Sequence, residues 1–215
     1  MLRKLFTILF LSAILFSACG KEDSPEIALN NLKIALAERN SENFAAHVDL
    51  NDFFSKTYDA VTIELAKNYE TYKEKYPDDP YFQHSADFIS NYNAQHKNLH
   101  LKFLNGVAKA YFAKIPEPSA PEDNPTAFVA NEFEKFRHAT NSTIKKIVVN
   151  QNSATIILEL AGDSSPRGKF IGNLTFNLVF RKDIQNQRWL LDKIENLDEL
   201  TPILVDKAEI IWINF

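Results

Sequence analysis

Residues 169–181 have the sequence KFIGNLTFNLVFR, in which apolar and polar side chains alternate over most of the length. Such period-two alternation places the two kinds of side chain on opposite faces of a β-strand. The predicted apolar face consists of Phe170, Gly172, Leu174, Phe176, Leu178 and Phe180, and the polar face of Asn173, Thr175 and Asn177. The stretch therefore predicts a half-buried strand whose apolar face needs a cover.

Three neighbouring segments show the same period and predict further strands at residues 143–149, 154–160 and 189–195. The polar sequences NQNS, residues 150–153, and DIQNQ, residues 183–187, are typical of turns between them. Sequential strands joined by short turns favour an antiparallel meander.

Upstream of the strands the apolar period is helical. Ser24 and Pro25 are an N-cap and first-turn pair, and the helix that they open ends at Arg39 and Asn40. A second, long helix is predicted from Asp49 to the turn at residues 76–80, with an apolar stripe of Phe54, Tyr58, Val61, Leu65, Tyr69, Tyr72 and Tyr76. A third is predicted at about residues 85–113, with an inward face of Phe88, Tyr92, His96, Leu99, Phe103 and Gly106.

Two shorter helices complete the prediction, one at residues 126–138 and one opening at Thr201 and Pro202 with Leu204, Ala208, Ile211 and Phe215 on one side. Residues 114–125 contain four prolines and predict an extended surface connection inside one domain, residues 25–215. The fold class is α+β: N-terminal helices, including a long helical hairpin, pack on a four-stranded antiparallel meander followed by a C-terminal helix.

The N-terminal segment, residues 1–18, has the order of a secretory signal peptide. Arg3 and Lys4 precede a twelve-residue run, residues 5–16, that is apolar except for two hydroxyl side chains, and Ser17 and Ala18 follow. A permanent membrane span needs about 20 apolar residues, which is longer than this run. The segment therefore predicts export.

The tetrapeptide Phe16-Ser17-Ala18-Cys19 resembles the lipobox of bacterial lipoproteins, with Phe16 in place of the usual leucine. The resemblance implies that Cys19 becomes the mature N-terminus, carries diacylglycerol on sulfur and a further acyl chain such as palmitate on its amine, and leaves residues 19–24 as a tether. Gly20 implies sorting to the outer membrane, facing the periplasm, in a host with two membranes. The alternative is ordinary secretion with a free Cys19 thiol.

Composition excludes several classes of function. Cys19 is the only cysteine, so a lipidated chain has no thiol for disulfides, thiolate metal sites or cysteine catalysis. Removing residues 1–18 takes away Arg3 and Lys4 and leaves a net charge of −6. This charge argues against nucleic-acid binding, and it leaves membrane contact to the lipid on Cys19.

Two segments of the mature chain resemble known families. ALNNLKIALAERNSENFAAHVDLNDFF, residues 28–54, resembles the opening of an uncharacterised family of exported bacterial proteins, the match lying in residues 37–40 and 48–50. FNLVFRKDIQNQRWLLDKIE, residues 176–195, resembles the closing hairpin of the nuclear-transport-factor-like, cone-shaped domains. That resemblance implies a curved sheet, but this fold hosts enzymes, binding modules and scaffolds alike.

His47 and Asp49 are the first candidate site. A carboxylate beside an imidazole raises its basicity, so the pair could act as acid and base in a cone pocket. Alternatively, Asp49 caps the second helix and His47 is an ordinary loop residue. His96 and His100, four residues apart, could face one metal ion, but no third ligand is evident and a hydrogen-bonded core or rim histidine is the commoner case.

The remaining candidates have ordinary alternatives. Tyr58, Tyr69, Tyr72 and Tyr76 could line a ligand groove, or could form a seam between helices. Asp78 and Asp79 could bind calcium, or could form a turn. Arg167 and Lys169 could meet an anion, or could be solvated.

The sequence favours a non-enzymatic envelope lipoprotein that serves as a binding or scaffold domain, with no cofactor and no metal. Its partners would be the membrane, through Cys19, and an envelope protein or an apolar ligand. The candidate pocket or partner surface comprises His47, Asp49, Tyr58, Tyr69, Tyr72 and His96. The alternative is a small-molecule enzyme of the cone-fold type that uses His47 and Asp49.

Overall fold

The structure is a computed structural model that describes residues 24–213. The predicted signal peptide, Cys19, most of the predicted tether and Phe215 lie outside the described residues, as does the side chain of Ile211.

Within the described range the chain forms eight α-helices and one sheet. The helices that precede the sheet are α1 (Pro25–Glu38), α2 (Ser41–Ala45), α3 (Leu50–Lys67), α4 (Tyr69–Lys75), α5 (Ala86–Phe112) and α6 (Pro125–His138), with a short 3₁₀ helix at Pro80–Phe82. Their start signals are local: the side chains of Ser24, Asp49 and Ser85 each accept a hydrogen bond from a backbone N–H in the first turn.

The sheet has four antiparallel strands in the order β1-β2-β3-β4. The strands are β1 (Thr140–Asn150), β2 (Ser153–Gly162), β3 (Asn173–Asp183) and β4 (Arg188–Ile194), with α7 (Pro166–Ile171) between β2 and β3 and α8 (Leu197–Ile213) after β4. The predicted α+β class and the meander are confirmed.

One face of the sheet is the floor of the hydrophobic core. Helix α1 packs on β2 and β4, and α3 packs on β4, α5 and α8. The inner-face side chains are 0–4 % exposed: Ala154, Ile156, Leu158, Leu160, Leu174, Phe176, Leu178, Phe180, Trp189 and Ile194. The helices therefore fill the space above the sheet, and one cluster of buried side chains extends from α1 to α8.

The predicted second helix is two helices, α3 and α4. Asn68 lies between them with φ −98° and ψ 15°, and its side-chain amide donates to the Glu64 carbonyl at 2.9 Å. An asparagine that bonds to nearby backbone in this way competes with the helical hydrogen-bond pattern, so the helix breaks here.

The predicted inward face of α5 is wrong by one residue. The buried positions are Ile89, Asn93, His100, Leu104, Val107, Ala110 and Tyr111, whereas Leu99 is 55 % exposed. Phe88, Tyr92 and Phe103 are half-buried at the margin of the core. Two of the inward residues, Asn93 and His100, are polar, so the apolar pattern alone favoured the neighbouring aromatic column.

The predicted start of the third strand is also wrong, because residues 169–171 belong to α7. Ser165 caps that helix by accepting a hydrogen bond from the Gly168 N–H at 3.0 Å, and Pro166 occupies the first turn. Gly172 then has a φ of 64°, which glycine adopts readily, and β3 begins at Asn173. The interior alternation from Leu174 to Phe180 is as predicted.

The C-terminal helix begins four residues before the predicted Thr201–Pro202 start. The Leu200 N–H donates to the Asn196 carbonyl at 3.2 Å, and Pro202 lies inside α8. Leu204 and Ala208 are buried as predicted.

Candidate functional site

His47 and Asp49 lie between α2 and α3, against the edge of β4. The residue between them, Val48, forms a parallel bridge with Leu191 of β4, and the Leu191 N–H donates to the His47 carbonyl at 2.8 Å. The candidate pair is therefore held on a segment that covers one edge of the sheet.

The His47 ring joins three parts of the fold. Its Nδ1 lies 3.5 Å from the Trp189 carbonyl, and its Nε2 lies 3.1 Å from Nδ2 of Asn31 in α1. With the carbonyl as acceptor and the amide NH₂ as donor, these contacts suit a ring that donates from Nδ1 and accepts at Nε2. The ring thus connects α1 with β4.

Asp49 is the N-cap of α3. Its Oδ1 accepts the Asp52 N–H at 3.1 Å, and the side chain is exposed. The capping interpretation is confirmed. His47 and Asp49 bond different groups: the histidine bonds Asn31 and the sheet, and the aspartate bonds the backbone of its own helix.

His100 belongs to a buried polar network between α3 and α5. Its Nδ1 lies 2.8 Å from the Tyr58 hydroxyl, which also lies 2.9 Å from the Asn93 carbonyl. Since the carbonyl only accepts, the Tyr58 hydroxyl donates to it and accepts from His100 Nδ1–H. Burial lowers the pKa of His100 to about 4, and the charge of His96 acts in the same direction, so the ring is neutral at pH 7.

Asn93 extends this network to two further side chains. Its Oδ1 accepts from the Tyr81 hydroxyl at 3.2 Å, and its Nδ2 donates to Thr62 at 3.2 Å. The seam between the helices therefore contains a continuous network of side-chain hydrogen bonds that runs from His100 to Thr62.

His96 lies at the margin of this seam. Its ring stacks on Tyr92 with centroids 4.2 Å apart, and its Nδ1 donates to the Tyr92 carbonyl at 2.8 Å. His96 and His100 are therefore both engaged through Nδ1 by other groups. Among the described residues, no group of three or more His, Cys, Asp or Glu side chains is arranged to hold a metal ion.

Three of the four tyrosines for which the sequence left a groove or a helix seam open are buried in the core. Tyr58, Tyr69 and Tyr72 are 1–3 % exposed, so their side chains lie in the hydrophobic core between the helices. Tyr76 is half-buried and donates to Asp206 of α8. The hydroxyls of Tyr69 and Tyr72 have no hydrogen-bond partner among the described residues.

Two further candidates have structural partners. Asp79 caps the 3₁₀ helix by accepting the Tyr81 N–H at 3.1 Å, as the turn interpretation predicted, and Asp78 is exposed. Arg167 lies 3.3 Å from Glu132 of α6 and also contacts the Phe136 ring. Lys169 lies in α7.

A cluster around Glu134 is absent from the sequence prediction. Glu134 of α6 receives two hydrogen bonds from Arg137, at 2.8 and 3.0 Å, and lies 2.9 Å from the Tyr111 hydroxyl and 3.3 Å from Arg39. Burial alone would raise the pKa of Glu134, but the Arg137 and Tyr111 hydrogen bonds and the two arginine charges lower it to about 2. The cluster joins α1, α5 and α6.

The chain matches no protein-family model, no curated protein and no solved structure with which it was compared. Between residues 24 and 213, no helix is sufficiently long and apolar to span a membrane.

Proposed function

We propose that the chain is a cell-envelope lipoprotein, anchored through acylated Cys19, whose domain acts as a non-enzymatic binding or scaffold module. The location is the envelope membrane, and the partner is an envelope protein. The anchor part of the proposal depends on Phe16-Ser17-Ala18-Cys19 after an apolar run, and the scaffold part on the interior of the domain.

The filled inner face of the sheet is the observation that supports a scaffold most directly. A ligand-binding cone needs an open concavity lined by a few convergent polar groups. Here Ile156, Leu158, Phe176 and Phe180 are all 0 % exposed beneath the helices. The tyrosines that could have lined a pocket are buried too, so the described interior favours a domain that acts through its surface.

The hydrogen bonds of His47 and Asp49 also support a non-enzymatic scaffold. A general base must keep a nitrogen or an oxygen available to the substrate. The His47 ring bonds Asn31 and the Trp189 carbonyl, and Asp49 caps α3. A structural role therefore accounts for the position of each residue.

The length of the tether limits the distance between the domain and the membrane. Four residues, 20–23, separate Cys19 from Ser24, where α1 is capped. An extended chain spans at most about 3.5 Å per residue, so Ser24 would lie within roughly 17 Å of the lipidated cysteine. An anchored domain would therefore stay close to the membrane surface.

The test of the anchor is the intact mass of the protein purified from bacterial membranes. We expect a chain that begins at Cys19 with added diacylglycerol, and a Cys19→Ser variant that carries no acyl group. A Ser24→Thr variant, which keeps a capping hydroxyl beside the tether, is the matched control and should stay acylated. A mature chain with an unmodified Cys19 would overturn the proposal.

The scaffold part is tested in a strain that lacks the protein. A His47→Gln, Asp49→Asn double variant should restore whatever envelope phenotype the wild-type chain restores. Loss of complementation by a variant that folds and is acylated normally would instead support the enzyme alternative.

A further inference from the structure

The two edges of the sheet differ in how they are covered. At the β4 edge, Val48 bridges Leu191, and the His47 carbonyl accepts the Leu191 N–H. At the other edge lies β1, eleven residues long, which pairs with β2 and with no other strand among the described residues. The strand at an open edge presents N–H and C=O groups that another strand can bind.

The end of β1 nearest the β1–β2 turn is the most accessible part of this edge. The pair Asn150 and Ser153 closes a two-residue turn, so the backbone groups of Val149 and Ile147 face away from β2 by the antiparallel alternation. Val149 is 54 % exposed and Val148 is 39 % exposed. A strand laid along this end would meet both backbone groups and apolar side chains.

The charge of β1 is opposite to that of the chain. The strand contains Lys145 and Lys146 and no acidic residue, whereas the whole chain has a net charge of −4. Lys145 pairs with Glu159 at 3.0 Å, but exposed Lys146 has no ion-pair partner within residues 24–210. The edge therefore presents Lys146 and Val148 on one face of the sheet and Val149 on the other.

This charge also decides against a second copy of the chain. Two β1 strands paired antiparallel about their centres would bring the lysine pairs opposite each other, and like charges facing across strands are destabilising. The register shift between Ile144 and Lys146 further interrupts a long, regular pairing. An edge of this kind suits a short strand of different sequence.

We infer that the outer edge of β1 at residues 146–150 is a docking site for an extended segment of a partner protein that carries a carboxylate and β-branched residues. The segment adds as a fifth, antiparallel strand: backbone hydrogen bonds to Ile147 and Val149 provide affinity, and its carboxylate faces Lys146. This deepens the proposed scaffold function, because it names the kind of partner that the scaffold binds.

The test uses the full-length chain purified in detergent and a fluorescein-labelled peptide of sequence TVEVEVT, followed by fluorescence anisotropy. The peptide TVKVKVT is the charge-reversed control and should bind at least about fivefold more weakly, since cross-strand charge pairs favour one sign and disfavour the other. Lys146→Glu should reverse the preference between the two peptides. Lys193→Glu, the same change at an exposed position of β4, should leave it unaltered.

Val149→Pro separates strand addition from simple charge attraction. Proline removes the outward N–H, yet an edge strand tolerates it when that N–H faces solvent, so the fold should persist. We expect this variant to lose peptide binding. Equal binding of the two peptides, no binding at all, or binding unaffected by Val149→Pro would overturn the inference.

Two other outcomes are distinguishable. Concentration-dependent dimerisation that Val149→Pro abolishes would make a second copy the occupant and overturn the acidic partner. An unmodified Cys19 would overturn the anchor independently of the peptide result, because the peptide assay does not depend on acylation.

Discussion

Arg39 adopts a left-handed conformation, φ 56° and ψ 45°, at the C-terminal end of α1. This conformation costs a residue with a Cβ about 1 kcal/mol, and glycine usually occupies it. The contacts of the arginine side chain offset this conformational cost, since the side chain lies 3.3 Å from Glu134 and 4.8 Å from the centre of the Tyr111 ring. One residue thus ends a helix and ties it to two others.

Glu134→Gln should lower the free energy of unfolding by about 2 kcal/mol at pH 7, because the charge-assisted bonds of Arg137 weaken. The pKa of Glu134 falls from an ordinary value of 4.5 to about 2 in the fold. Its contribution is therefore complete above about pH 4.5 and is lost as the pH falls towards 2. Urea unfolding of wild type and variant at pH 7, 4 and 3 measures this.

The difference in free energy of unfolding between wild type and Glu134→Gln should become smaller as the pH falls. Glu122→Gln, in the exposed connection before α6, is the control and should change stability by less than about 0.5 kcal/mol. A difference in free energy of unfolding that stays constant from pH 7 to pH 3 would contradict the stabilising role of the ionised Glu134 carboxylate.

Asp49→Ala should lower the free energy of unfolding by about 1 kcal/mol, since it removes the acceptor of the Asp52 N–H at the start of α3. Asp49→Asn should be close to neutral, because asparagine caps helices as well as aspartate does. Thermal unfolding followed by circular dichroism distinguishes them. Equal destabilisation by both variants would show that the charge, and not the cap, is what matters.

At the scale of elements, the α3–α5 seam decides which face of α5 is inward. Asn93 and His100 take inward positions because Tyr58, Thr62 and Tyr81 supply hydrogen-bond partners there. Because these two inward residues are polar, the hydrophobic periodicity of α5 does not identify its inward face. The half-buried margin of the core carries the larger aromatic rings, stacked four residues apart, such as Phe88, Tyr92 and His96.

The seam should show energetic coupling in a double-mutant cycle. Tyr58→Phe leaves the buried His100 Nδ1–H without its acceptor and should cost about 1–3 kcal/mol. His100→Leu removes the donor, so in its background Tyr58→Phe should cost at least about 1 kcal/mol less. Urea unfolding of the four proteins gives the coupling energy, and strictly additive effects would refute the bond.

At the scale of the whole molecule, one cluster of buried side chains continues from Ala28 to Val205 across the proline-rich connection at residues 114–125. Helices from before the connection pack on strands that follow it, as α1 does on β2 and β4. Neither part would keep its apolar face covered alone.

Unfolding should therefore be a single cooperative transition. Far-ultraviolet circular dichroism reports the helices, near-ultraviolet circular dichroism reports the packed aromatic rings, and the two should give coincident urea midpoints. A first transition that removes helix signal while the near-ultraviolet signal persists would divide the chain at residues 114–125.

The features of the fold that could be predicted from the sequence are those that depend on a few neighbouring residues. Alternation places Leu174, Phe176, Leu178 and Phe180 on the buried face, short turns predict the meander, and capping is one of the two interpretations of Asp49. These features depend on backbone geometry over one to four residues. The signal peptide and Cys19 remain predictions, since they lie outside the described residues.

Tertiary structure alone decided features that depend on residues far apart in the chain. Asn93 and His100 are inward because distant tyrosines satisfy them, Glu134 meets Arg39 across 95 positions, and Val48 covers β4 while β1 stays open. Start signals were ambiguous for a related reason: Ser165 and Pro166 open a helix, whereas Thr201 and Pro202 lie inside one. Periodicity records which side chains avoid water, but a polar side chain is buried only when the folded chain brings it a partner.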